Sequence, residues 1–117
     1  MSRVEDGEVT LVVRFQASPG QAGELESRLR QMVSASTAED GCLQYTLHVD
    51  RDSAAHFVLY ERWTSWAALA EHDETSHVKD FVAVLPDLLV QGFGRWQLRS
   101  HSPRLTGMMG VAPPGEG

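Results

Sequence analysis

The stretch Phe57–Trp63, FVLYERW, reads as a β-strand, and the rest of the chain organises around it. Successive side chains of a strand point to opposite faces. Phe57, Leu59, Glu61 and Trp63 therefore share one face, and Val58, Tyr60 and Arg62 share the other. The first face is apolar apart from Glu61. A carboxylate placed there needs a partner, a hydrogen bond or a proton, because burying a bare charge is costly. Two roles are open to it. Glu61 is a structural anchor for a helix terminus or an arginine, or it is a pocket carboxylate that holds a histidine or a substrate hydroxyl. Trp63, on the same face, is core or the flat wall of a pocket for a planar ligand.

Behind this strand runs TSWAALAEHDETSHVKDF. Thr64-Ser65 can cap a short helix carrying Trp66, Leu69 and Ala70. Asp73–Ser76 breaks that helix and caps a second one, whose apolar stripe is Val78, Phe81, Val82 and Leu85. The break places two histidines at one junction. His72 follows Leu69 by three residues, near a helix C-terminus where carbonyl dipoles favour the imidazolium. His77 precedes Phe81 by four, in a first turn where amide dipoles favour the neutral ring, a competent base. Either histidine could instead cap a helix end or hydrogen-bond Glu61. His77 is the preferred base.

The flanking segments complete the pattern. Val9, Leu11, Val13 and Phe15 alternate with polar and mixed residues, giving a first strand. Ser18-Pro19-Gly20-Gln21 reads as a helix start, with Ser18 as cap, Pro19 in the first turn and Gln21 closing a capping box. Leu25, Leu29, Met32 and Val33 form the apolar stripe of that helix, which should stop near Glu39-Asp40-Gly41. Leu43, Tyr45, Leu47 and Val49 are expected on the core side of a second strand. Asp50–Ser53 then turns the chain into FVLYERW as a hairpin. A last strand is expected over about Gln91–Arg99, with Gly92 and Gly94 at its weak start.

The order is β-α-β-β-α-β with the second helix split. This is an α+β, ferredoxin-like arrangement of one antiparallel sheet with helices on one face. The opposite sheet face carries Val12, Val58 and Tyr60 among Arg14, Gln44, Thr46 and Arg62. It is too apolar for a plainly solvated surface, so two-fold self-association is expected there. Residues 1–100 form the domain. Residues 101–117 are Ser/Pro/Gly-rich and are expected to form a flexible tail.

Composition excludes several classes. A net charge of −6 with no basic stripe argues against a nucleic-acid surface. No apolar run reaches the ~18–20 residues of a membrane span, and MSRVEDGE has no apolar signal core, so a cytoplasmic protein is expected. The lone cysteine, Cys42, rules out an internal disulfide and a cysteine-rich zinc site. It is read as an inert small residue on the sheet face away from the helices. Five histidines raise the question of a metal, but no two stand at i, i+4 on one helix with an acid beside them, so none is expected.

Three segments, VTLVVRFQASPGQAGEL, EDGCLQYTLHVD and FVLYERWTSWAALAEHDETSHVKDF, resemble the antibiotic biosynthesis monooxygenase domain family over about residues 9–99. The shared signature is Y-E-x-W, then H-x4-H, then F. The resemblance implies a dimeric α/β barrel of two ferredoxin-like domains. It further implies oxidation of a quinol- or anthrone-type aromatic by O2 as co-substrate, with no metal, flavin or haem. Anthrone oxygenases have an asparagine where this chain has Leu59 and a tyrosine where it has Leu69. Haem-degrading members have an asparagine near Val13. This chain contains no asparagine. Trp63, Glu61, His72 and His77 therefore look like the quinol-monooxygenase branch. On this reading His77 is the base, His72 and Glu61 assist, and Trp63, Tyr45, Trp66, Phe81 and Leu59 form the walls. The rivals are a non-oxidative cyclase or isomerase using the same base, and a non-catalytic dimeric binding protein.

Overall fold

The computed structural model describes residues 7–90 and the backbone of 94–98. The expected tail, 101–117, lies outside the described residues. Four strands, β1 (Val9–Gln16), β2 (Cys42–Asp50), β3 (Ser53–Trp63) and β4 (Gly94–Leu98), form one sheet in the order β2-β3-β1-β4. Every pairing is antiparallel. Helices α1 (Ala22–Thr37), α2 (Trp66–Asp73) and α3 (Ser76–Val84) connect them, and a 3-10 turn spans Leu85–Asp87. This is the ferredoxin-like order with the second helix split in two, as the sequence pattern requires.

Register explains the core. Val9 lies opposite Trp63, Leu11 opposite Glu61, Val13 opposite Leu59 and Phe15 opposite Phe57. Directly opposed residues project from the same face, so these eight form one continuous surface beneath the helices, and all are buried. Leu25, Leu29 and Met32 of α1, Leu69 of α2 and Phe81 of α3 close over it. Phe15 and Phe81 meet edge to face, with ring centroids 5.8 Å apart.

Local expectations are corrected at both ends of α1 and along β2. Helix α1 starts at Ala22, not Pro19, and its N-cap Gln21 makes no side-chain cap bond. Ser18–Gln21 is instead a tight turn. Gly20 has φ +82°, outside the helical region, and Gln21 N–H donates to Ser18 O at 2.9 Å. Pro at the second and Gly at the third position are what a type II turn demands. The same helix ends at Thr37, short of Glu39. A bulge between Cys42 and Gln44 shifts the start of β2. Leu43, expected in the core, is 44% exposed, and Val49 is exposed at the hairpin end. Cys42 pairs with Trp63 and packs against the core, so it lies on the helix side of the sheet.

Gly41 sets how closely the loop after α1 approaches α2. A Cβ there would overlap the Cβ of Ala68 on α2. Glycine lets the loop lie directly on that helix, where Thr64 N–H donates to Gly41 O at 2.9 Å. That contact fixes the position of the residues just before Gly41.

Candidate active site

The α2–α3 break forms as its caps dictate. Ser65 accepts from Ala68 N–H and starts α2. Thr75 accepts from Val78 N–H and starts α3, and its hydroxyl also donates to His72 O at 2.7 Å. One threonine thereby ties the end of α2 to the start of α3. His72, in the last turn of α2, and His77, in the first turn of α3, face the same point, with ring centroids 5.8 Å apart.

What fills that point is Glu39, a residue that sequence reasoning treated only as a helix-stop signal. His72 Nδ1 lies 2.7 Å and His77 Nε2 2.9 Å from the same oxygen, Glu39 Oε2. An ionised carboxylate only accepts hydrogen bonds, so each facing ring nitrogen carries a proton. In a neutral His72 ring the lone pair is then on Nε2. This is how a carboxylate sets the tautomer of a catalytic histidine. The side chain of His72 is 4% exposed, that of Glu39 17% and that of His77 28%. No helical spacing relates Glu39 to either histidine. The sole hint in the sequence is an acid two residues before a glycine that must sit against α2.

Glu61 is tied to the tryptophan of its own strand. Buried at 4% exposure, it accepts the indole N–H of Trp63 at 2.9 Å. Trp63 itself is fully buried, and its ring lies against His72 with centroids 4.4 Å apart. Tyr45 lies opposite Glu61 on β2 and meets His72 edge-on at 5.7 Å. Burial, helped by the nearby charge of Glu61, pushes the Tyr45 phenol well above its ordinary range, and a hydrogen bond with Ser36 opposes this. Tyr45 therefore stays a neutral phenol at physiological pH.

A cavity of about 60 Å3 opens between the sheet and the helices, lined among others by Met32, Tyr45, Leu59, Glu61, His72 and Phe81. Of the residues singled out from sequence, Tyr45, Leu59, Glu61, His72 and Phe81 meet here. Trp63 supports His72 from behind without lining the cavity. Trp66 begins α2 at 39% exposure, and the cavity does not reach it. His77 faces a different opening, a groove of about 220 Å3 between α1 and α3 that it shares with Arg28, Gln31, Met32, Asp80 and Phe81. Met32 and Phe81 thus separate the two histidines' surroundings.

Residues 8–84 match the family model described as antibiotic biosynthesis monooxygenase. The Rv0793 protein of Mycobacterium tuberculosis, named as a candidate monooxygenase, is 34% identical over 83 residues, which are 71% of this chain and 81% of that one. The similarly named YcnE of Bacillus subtilis is 33% identical over 69% of this chain and 85% of its own. The crystal structure of PA3566 from Pseudomonas aeruginosa superposes with a TM-score of 0.78 at 39% identity, covering 84% of this chain and 98% of that one.

Proposed function

Because this chain belongs to the antibiotic biosynthesis monooxygenase family, we propose that it oxidises a phenolic, hydroquinone or anthrone-type aromatic with O2, using His72 as the base and no cofactor. One observation carries the choice of His72. Its Nδ1 is held by Glu39, which leaves Nε2 as the basic nitrogen, and its ring borders the cavity while His77 borders another opening. The cavity has apolar walls at Leu59 and Phe81 that suit an aromatic face, and at about 60 Å3 it must widen to admit even one ring, since a benzene needs roughly 150 Å3.

The chemistry balances without a metal or flavin. His72 Nε2 takes the phenolic proton, and Glu39 neutralises the imidazolium that forms. The electron-rich anion gives one electron to O2, and the radical pair combines in a C–O bond to give a peroxide. Loss of the hydrogen on that carbon and cleavage of the O–O bond leave a carbonyl and release water. For a hydroquinone, one oxygen atom ends in the hydroxyquinone and the other in water. The neutral phenol of Tyr45 is placed to donate a hydrogen bond to the substrate or peroxide.

The half-buried side chains of Val12, Val58 and Tyr60 on the open sheet face support a second copy of the chain as the covering partner. Light scattering should then return about twice the 12.9 kDa chain mass. The direct test of function is oxygen uptake with a single-ring hydroquinone by wild type and by His72→Gln. Uptake by wild type that the substitution abolishes is the expected result. Ring closure or proton exchange under nitrogen, with no oxygen uptake, would replace the oxygenase with a cyclase or isomerase.

A further inference from the structure

Three metal-ligating atoms converge at the junction of three elements. Glu39 Oε2 comes from the loop after α1, His72 Nδ1 from the end of α2 and His77 Nε2 from the start of α3, all within 4.8 Å of one another. Neighbouring ligand atoms of a tetrahedral ion with bonds of about 2.0–2.1 Å stand about 3.3 Å apart. Oε2 already lies 2.7 and 2.9 Å from the two nitrogens. Coordination therefore asks the carboxylate to retreat by roughly 0.5 Å and the two ring nitrogens, which the cluster lets stand up to 4.8 Å apart, to turn toward each other to that same spacing. Of the three, His77 lines the groove between α1 and α3, the side from which an ion would reach it. Two imidazoles and one carboxylate suit zinc, cobalt or nickel, whereas magnesium and calcium prefer oxygen ligands throughout.

We propose that Glu39, His72 and His77 bind one divalent ion of the zinc, cobalt and nickel class, and that the bound ion switches off the base at His72. An imidazole nitrogen binds a metal through its lone pair. His72 Nδ1 carries the ring proton when it faces Glu39, so a metal there moves that proton to Nε2. Nε2 then has no lone pair with which to accept a phenolic proton. His77 makes the opposite exchange, its proton passing from Nε2 to Nδ1. Two neutral rings lose no net proton, and Glu39 offsets one of the two metal charges. The inhibitory half rests on His72 being the base of the proposed oxygenase. The metal site does not.

The test uses the full chain, stripped with a chelator and titrated with cobalt(II), whose visible bands report tetrahedral nitrogen and oxygen ligation. One cobalt per chain is expected, displaced by zinc. His77→Ala and Glu39→Gln should each weaken binding by at least roughly 100-fold, the upper end of what losing even an outer partner costs. Thermal melts check that both variants are folded. His77 is the more exposed ligand, so its variant keeps the test readable if a His72 substitution does not fold. Absent cobalt bands, or bands unchanged in both folded variants, would overturn the site. Saturating zinc should abolish oxygen uptake, and chelator should restore it. Cobalt held by all three residues with turnover unaffected would overturn the switch. If the metal-free chain consumes no oxygen with any hydroquinone, the oxygenase reading fails on its own, and the cobalt titration still decides the site.

Discussion

Trp63 both stacks on His72, with ring centroids 4.4 Å apart and planes inclined by 37°, and donates its indole N–H to Glu61 at 2.9 Å. Two residues of one strand thus supply a clamp. Glu61 fixes the indole, and the indole backs the imidazole that faces the cavity. The conspicuous carboxylate of β3 acts on the histidine through a tryptophan.

Removing the indole N–H should show this. Trp63→Phe takes a donor from a buried carboxylate and should cost about 2–3 kcal/mol, the scale of a hydrogen bond to a charged group. Glu61→Gln keeps an acceptor for the indole and should cost less. Urea denaturation of both variants measures the contrast. A Trp63→Phe variant as stable as wild type would mean that the indole–carboxylate bond is not the anchor.

The two histidines should separate kinetically. His72→Ala should lower turnover by roughly 10²-fold or more, the usual size of a general-base contribution. His77→Ala should have a smaller effect, since His77 borders the other groove. Glu39→Gln should fall between them, because a glutamine can still accept from His72 Nδ1 but no longer neutralises the imidazolium. The comparison needs one hydroquinone and all three variants. Equal losses in the two histidine variants would contradict the assignment.

Gly41→Ala should be destabilising by about 1–3 kcal/mol, as overpacking usually is, because its Cβ meets that of Ala68. It should also lower turnover by moving Glu39 away from the histidines. Adding Ala68→Gly removes the clashing atom and should recover much of both losses. A double mutant no better than Gly41→Ala would show that the close approach is not the reason for the glycine.

Tyr45 gives a signed pH effect. Its phenol is raised by burial first and by Glu61 second. The unfolded chain releases this proton near its ordinary value of about 10, and the folded chain holds it longer. Below that pH the group contributes no slope. Above it the unfolded state binds fewer protons, so stability falls as pH rises, by up to about 1.4 kcal/mol per unit for one proton. Urea melts across the alkaline range should show this decline, and Tyr45→Phe should flatten it.

Cys42 should be slow to alkylate at neutral pH, because burial raises its thiol and the charges of Glu39 and Glu61 add to that effect. Cys42→Ser should leave turnover nearly intact. Rapid modification by iodoacetamide in the folded chain would contradict the core-side placement.

The strand of Phe57–Trp63, the apolar stripe of α1 and the Asp73–Ser76 break were legible because each follows from local periodicity or cap chemistry. Alternation placed Glu61 and Trp63 on the core face, and the break placed His72 and His77 at one junction. Tyr45, Leu59 and Phe81 were legible as walls because each faces the core from its own element. The bulge at Cys42–Gln44 was not, since a single extra residue leaves no mark on an alternating pattern yet exchanges the inward and outward places of Cys42 and Leu43 at the start of the strand. The Ser18–Gln21 turn was misread as a cap because Pro and Gly serve both motifs, and the φ of Gly20 decides between them.

The sequence alone determined the element order, the buried faces and the family, because these rest on periodicities and motifs that local chain geometry enforces. Tertiary structure alone decided the partner of the histidines. Glu39 stands 33 residues from His72 and 38 from His77, and no spacing rule spans such separations. The loop after α1 reaches α2 only because Gly41 lacks a Cβ, and that packing contact brings the carboxylate to both rings. The assignment of His72 to the cavity and His77 to the groove has the same origin. Met32 and Phe81, from helices far apart in sequence, stand between the two openings.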